Sequence, residues 1–339
     1  AEEYKKYKKY KENILLDGLS LAECKAGDLL VCGEVVLEMT GAIKSCHQDL
    51  CKLAEEKEKF YAAFENAEAI SKAEELLEIL YGSKTAEKSK VIYKEEDEQR
   101  SIIFSLAYLM RALYIKDYLK EKGIPLEHLE AIMGVWRNAS NRSFKKYGFY
   151  GLNGVYRSFL CGYMQPARYT LGRLNFEMAP LEDNYAVYKT ENGIAHTNSD
   201  EEIKGECVLK KGDPVLYVHI PENGPLLPDL VDDSFNKAKE FFAAYFPEYK
   251  FRAFVCSSWL LDENLKTVLK PTSNIIAFQN RFTIAAKKVN NFSLYWHVLG
   301  IEDFLPIDQL VPANDFQARI INHVKEGTPL YSGKGFILV

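Results

Sequence analysis

A chain of 339 residues, 47% hydrophobic and 27% charged, has the balance of a globular protein and the length of two domains. Its net charge of −5 excludes the broad basic surface that phosphate neutralisation requires, so no nucleic-acid partner is expected. No apolar run approaches the ~20 residues of a membrane-spanning helix, so no membrane partner is expected either.

The seven cysteines (Cys24, Cys32, Cys46, Cys51, Cys161, Cys207 and Cys256) are odd in number and contain no CxxC pair. Reduced thiols in a cytoplasmic protein are the expectation, since disulfide frameworks pair their cysteines. Cys46-His47 with Cys51 matches no zinc-ligand spacing and lacks a second ligand pair, so no metal is expected. The start of the chain, with lysine and tyrosine interleaved from Tyr4 to Lys11, has the pattern of a solvated helix face, and no apolar signal-peptide core follows it.

The first 165 residues read as a helical domain. Ser71 and Glu74 have capping-box spacing, Leu76, Leu77 and Leu80 give an apolar face, and Gly82 marks the end of that helix. The polar stretch 83–90 reads as a loop. A second helix is predicted over 95–122, with Ile102, Leu106, Leu109 and Leu113 as its stripe and Gly123 and Pro125 as its stop. A third runs from Pro125 through Leu129, Ile132 and Trp136.

Near Pro166 the periodicity changes, and a second domain is predicted over 166–339. Residues 168–178 alternate, with Leu174, Phe176 and Met178 on one face and Arg173, Asn175 and Glu177 on the other, as in a half-buried strand. Strands are also predicted at 185–189 and 207–209. The run Val215-Leu216-Tyr217-Val218-His219-Ile220 is apolar on both faces, as a central strand is. A helix from Pro228 to Pro247 and a buried strand at 251–256 follow. Beyond them come a short helix at 262–269, strands at 275–284 and 292–299, a helix at 314–325 and a strand at 336–339. The fold class is therefore α+β, a helical N-terminal domain followed by a mixed sheet with helices packed on it.

Several segments carry a family resemblance. They are Val218-His219-Ile220-Pro221, Gly224-Pro225-Leu226, Phe246-Pro247, the run from Cys256 to Leu261, the run from Ser273 to Phe278, and Tyr169-Thr170-Leu171-Gly172-Arg173-Leu174-Asn175-Phe176-Glu177. Together they resemble bacterial proteins with a helical acyltransferase-type N-terminal domain and a GNAT-like C-terminal domain, most densely over 166–285. The resemblance implies an acyl-CoA bound beside a central strand that splays from its neighbour. It also implies a pyrophosphate on backbone N–H groups where that strand passes into a helix. In this chain those positions are Ile220, Asn223, Gly224 and Leu226. The usual glycine-rich run is absent, Pro225 and Pro228 bring no N–H, and Glu222 adds a negative charge. A tight turn that only starts a helix is the competing reading of the same residues.

His219, at the C-terminal end of the central strand, has the pKa of a general base and the position where open α/β sheets hold ligands. A core histidine satisfied by one hydrogen bond is the alternative. Glu177 is either a proton acceptor or, with Arg173, a structural pair. Ser257 and Ser258 follow a buried strand and could bond an acyl carbonyl or protonate a leaving thiolate. A serine-hydrolase arrangement with Asp262 lacks the GxSxG elbow. Arg173, Trp259 and Asn274 are candidate substrate contacts, each with a packing or turn role as its alternative. The expected activity is acyl transfer by direct attack, with acyl-CoA or CoA as co-substrate and an amine or hydroxyl of a small-molecule acceptor as nucleophile. In this reading the helical half supplies acceptor contacts or a homodimer surface. The alternative is a non-catalytic ligand-binding or interaction protein on the same scaffold.

Overall fold

The computed structural model describes residues 29–32, 35–38, 66–83, 88–92, 97–152, 154–199, 203–221, 224–301 and 304–339. The expectations for Tyr4 to Lys11, for Cys46, His47 and Cys51, and for Glu222 and Asn223 fall outside these residues. The chain divides into two compact units, residues 1–107 with 139–153, and residues 108–138 with 154–339.

In the first unit, β1 (Leu29–Cys32) and β2 (Val35–Glu38) form an antiparallel hairpin. Helix α1 (Ala67–Tyr81) starts one turn earlier than the Ser71–Glu74 pattern predicts. Its cap is Asn66, whose Oδ1 accepts from the N–H groups of Glu68 at 2.9 Å and Ala69 at 3.2 Å. A side-chain oxygen at the N-cap satisfies otherwise unpaired N–H groups, so the asparagine sets the boundary. Gly82 ends the helix as expected. The predicted loop at 83–90 gives way to a short helix, α2 (Lys88–Ile92).

Helices α3 (Glu98–Lys122) and α4 (Glu127–Tyr147) contribute to both units. The buried face of α3 includes Phe104, Tyr108, Ala112, Ile115 and Leu119, together with Leu106 of the predicted stripe. The predicted stripe ended on Leu113, which is 62% exposed. Leucines alone were a poor guide here, because the aromatic residues Phe104 and Tyr108 carry the bulk of the apolar face.

The second unit contains α5 (Gly154–Tyr163), which sequence reading did not anticipate, and a six-stranded sheet of order β10-β11-β9-β8-β4-β3. The predicted single strand at 168–178 is a hairpin, β3 (Arg168–Leu171) and β4 (Leu174–Pro180). Gly172 turns it with a φ of 74°, in the left-handed region where an L side chain is strained. A Cβ there would also lie 2.8 Å from Ser234 Oγ. Strands β5 (Ala186–Thr190), β6 (Gly193–Thr197) and β7 (Glu206–Leu209) form a separate three-stranded sheet of order β6-β5-β7. The central strand is β8 (Pro214–His219), and β9 spans Ala253–Ser258.

Between them runs α6 (Pro228–Tyr245), with proline in its first turn and Val231, Phe235, Ala238, Phe241 and Phe242 buried at helical spacing. It covers one face of the large sheet. Phe235 packs edge-on at 5.7 Å from Phe176 and 4.9 Å from Phe254, and Phe176 lies 5.6 Å from Phe254. On the other face, Val215, Ala253, Val255 and Phe336 join Leu181, Tyr185, Val187 and Leu209 of the small-sheet layer in one core.

Two predicted strands are corrected. Residues 275–279 belong to a short helix, α8 (Asn274–Gln279), which follows α7 (Leu265–Val268) and is capped by Ser273 Oγ on the Ile275 N–H at 3.3 Å. The strand of that region starts later, as β10 (Thr283–Val289). Residues 294–299 form a π-helical turn closed by Gly300 at a φ of 68°. Leu294 and Val298, four residues apart, are buried there, so packing overrides the strand preference of the aromatic and β-branched residues. Helix α9 (Asp315–Lys325) and strand β11 (Tyr331–Leu338) complete the unit.

Candidate active site

The β3–β4–β8 register builds the site. Arg168 stands opposite Glu177 across the hairpin, and Asn175 stands opposite His219 across β4–β8. Since alternate residues of a strand share a face, Arg168, Asn175, Glu177 and His219 all lie on one side of the sheet. Two of them meet on a single oxygen. Glu177 Oε2 is 2.7 Å from His219 Nε2, and accepts from Arg168 Nε at 3.1 Å and Nη2 at 2.5 Å.

Burial works against the charge on Glu177, but the hydrogen bond from His219 and the Arg168 guanidinium outweigh it and hold the carboxyl below its usual range. Burial pulls the His219 imidazole below its usual value, against the upward pull of Glu177. At neutral pH the pair is therefore an anionic carboxylate and a neutral imidazole. A carboxylate only accepts, so His219 donates from Nε2 and keeps its lone pair on Nδ1. The histidine side chain is 33% exposed, so it is neither sealed into the core nor free of it.

Around this pair lie groups that sequence reading did not single out. The Arg168 guanidinium sits 4.9 Å over the Tyr163 ring, and Asn175 Nδ2 donates to the Tyr163 hydroxyl at 2.6 Å. Asn175 is 1% exposed and its Oδ1 has no partner among the described residues. The signal that leads to Arg168 is Gly172-Arg173 as a two-residue hairpin loop, which sets 168 against 177.

The parallel ladder between β8 and β9 holds only the pairs Leu216–Phe254 and Tyr217–Val255, while both strands run on by two residues or more. An opening between strand ends results, at His219 on one side and Ser257–Ser258 on the other. Ser257 is exposed and points to the His219 face by alternation from Val255. Ser258 falls on the opposite face, where its Oγ accepts from the Leu260 N–H at 3.2 Å and caps a 3-10 turn, Trp259–Leu261.

The remaining candidates are held elsewhere. The Arg173 guanidinium donates to the carbonyls of Pro225 at 3.0 Å and Gly224 at 2.8 Å, and its backbone N–H donates to Ser234 Oγ at 2.7 Å. It fastens the loop before α6, and its Nη1 is buried without a partner among the described residues. Gly224 takes a φ of 89° with open space where a Cβ would stand, Leu226 is buried, and Ile220 is half-buried beyond the end of β8. Trp259 stacks 6.5 Å from the His297 ring and packs on Phe316 at 6.3 Å. Asn274 is the first residue of α8, not the residue before a strand. The carboxylate of Asp262 accepts from the N–H groups of Asn264 and Tyr331, both at 3.0 Å, which leaves it in a structural role. No group of three or more metal-ligating side chains occurs among the described residues, and no described helix is long and apolar enough to cross a membrane.

Residues 169–337 match the family described as the GNAT-like C-terminal domain. The second half of the chain is a member of that family. No curated protein sequence matches the chain. Among solved structures, an acyltransferase in complex with decanoyl-CoA is 23% identical at a TM-score of 0.56, over 71% of this chain and 66% of that one. An acyltransferase in complex with CoA and 10C-teicoplanin is 25% identical at 0.56, over 70% and 67%. Another, with decanoyl-CoA and teicoplanin, gives the same values. The chain thus spans about two thirds of the length of these structures. His219 on β8 and Ser257 on β9 both lie beyond the last pair of the β8–β9 ladder.

Proposed function

We propose that the chain transfers an acyl group from acyl-CoA to an amine or hydroxyl of a small acceptor by direct attack. The observation that carries this reading is the His219 imidazole, 2.7 Å from the Glu177 carboxylate at the point where the β8–β9 ladder stops. The GNAT-like domain and the complexes of acyltransferases of similar fold with decanoyl-CoA and with CoA and 10C-teicoplanin support it. The thioester carbonyl lies in the opening between the strands. His219 Nδ1 takes the acceptor's proton as the new C–N or C–O bond forms; the C–S bond breaks, and the sulfur leaves as thiolate. Glu177 stabilises the imidazolium, whose proton then passes to the sulfur, directly or relayed by Ser257 or water, and restores the neutral base. No covalent enzyme intermediate is required, because positioning and proton removal suffice. Arg173 holds the loop at Gly224 and Pro225 that borders the CoA phosphates, with Ile220 and Leu226 beside them. Ser258, Trp259 and Asn274 support the walls of the opening.

Calorimetric titration with CoA and acetyl-CoA, in parallel with thiol release from acyl-CoA in the presence of amines, tests the reading. Micromolar binding, with His219→Ala retaining CoA affinity but losing about 10²- to 10⁴-fold in kcat, is the expected result. Absence of CoA binding, or full turnover in the His219→Ala protein, defeats it.

A further inference from the structure

The same sheet face continues past the opening. Ser257 stands opposite Lys334 on β11, and Lys334 stands opposite Ala286 on β10. Lys288, two residues beyond Ala286 and opposite Ser332, shares that face. Over these positions lies a cavity of about 340 Å³, lined by Lys334, Lys288, Lys287, Asp183, Glu182 and Tyr185, with Asn184, Asn198 and Ala286 completing it. The segment that roofs it is anchored on the central strand, where the Glu182 N–H donates to the Tyr217 hydroxyl at 2.9 Å. Tyr217 lies two residues before His219, so cavity and imidazole share one surface.

The lining is built for charge. Lys334 and Asp183 form an ion pair whose side chains are only 32% and 13% exposed. Lys288 has no carboxylate partner among the described residues. The Tyr185 hydroxyl is buried and has no partner among them, and burial together with the Asp183 carboxylate pushes its pKa far up. A buried hydroxyl left unpaired is destabilising, and a bound molecule or water that pairs with it offsets that cost. Lys287 points to the opposite face of β10, its ammonium 5.0 Å from the Tyr331 ring, so Lys334 and Lys288 are the cations on the cavity's face, and Lys288 at the β10 edge is the one without a carboxylate among the described residues.

The geometry points to this cavity as the acceptor site, taking an amine or hydroxyl compound that also carries an anionic group, a carboxylate or a phosphate. The anionic end is held by Lys288 and Lys334, and the nucleophilic end reaches toward His219. Lys334 is two strand spacings from His219 across β9, roughly 10 Å, so anchor and reacting group are separated along the acceptor. The inference rests on the acyltransferase reading for the word acceptor, but the anion site itself does not depend on turnover.

The test is calorimetric titration with 6-aminohexanoate, 6-aminohexyl phosphate and the neutral 6-aminohexanamide, on the wild-type protein and on Lys288→Glu and Lys334→Met. At least one anionic probe is expected to bind about tenfold tighter than the amide, the range of a charge-assisted hydrogen bond. Which of the two is preferred separates a carboxylate acceptor from a phosphate one. Lys288→Glu, a change at an exposed position, is expected to abolish the preference, and Lys334→Met to weaken it. Equal affinity for all three probes, no heat with any of them at millimolar concentration, or a preference unchanged in both variants overturns the assignment. Thiol release from acyl-CoA is followed separately. Anion preference without thiol release removes the acyltransferase reading and leaves the site, whereas thiol release without anion preference removes the site alone.

Discussion

The two ends of one sheet face, with β8 running through both, have opposite fates. Val215 at the start of β8 lies in a core with Ala253, Val255 and Phe336, roofed by Leu181, Tyr185, Val187 and Leu209. His219 at its end, on the same face by alternation, meets Glu177, Arg168 and solvent. Both ends obey the same period of two; what differs is the cover. Where the small-sheet layer lies over the strands, the buried side chains are apolar apart from the Tyr185 hydroxyl. Where the cover stops, ionisable groups bind one another and stay reachable. The lowered imidazole pKa at the open end comes from that partial cover, which does not seal the ring away.

This contrast can be broken at either end. Phe336→Ala, at the covered end, is expected to cost about 3–5 kcal/mol in denaturant unfolding while the folded fraction keeps its turnover. A smaller cost together with lost turnover would mean that the two ends are not separable. Glu177→Gln, at the open end, is expected to lower kcat by about tenfold or more, less than loss of the base itself. Because Glu177 raises the His219 pKa, its neutralisation moves the acid limb of the pH–rate profile to lower pH.

Arg168→Met is expected to move that limb the other way. The guanidinium pulls the His219 pKa down, so its removal raises it, and full activity is then reached only at higher pH. Identical profiles for the two variants would show that His219 is not the titrating base. The smallest expected effect is at Ser258, where Ser258→Ala removes a cap and costs about 1 kcal/mol, read as a lower Tm with kcat unchanged. A lost kcat with an unchanged Tm would move the serine's role from scaffold to chemistry.

Much of this frame was legible in the sequence. The strand ending at His219 and the helix from Pro228 announce themselves through apolar period and proline punctuation. The acyltransferase-like arrangement was visible because its residues cluster along one stretch of chain. The hairpin at Gly172 was hidden, because alternation continues through a two-residue turn and resembles one long strand. Arg168 went unnoticed with it, since its role depends on being folded back on Glu177. Residues 275–279 and 294–299 were misread because isoleucine, tyrosine and tryptophan favour strands locally. The signals that decide there, Ser273 as a cap and Gly300 as a left-handed stop, are single residues.

The short β8–β9 ladder has a mechanical meaning as well. Six registered pairs join β4 to β8 and six join β11 to β9, but only two join β8 to β9. The large sheet is thus two rigid plates, β3-β4-β8 and β9-β11-β10, meeting along a short weld. A molecule that lies in the gap and bonds to both strand ends adds rungs to the weld, so filling the gap and stiffening the domain are one event. The plates are each held by their own cross-strand pairs, so a change in their mutual angle would strain only the two β8–β9 pairs.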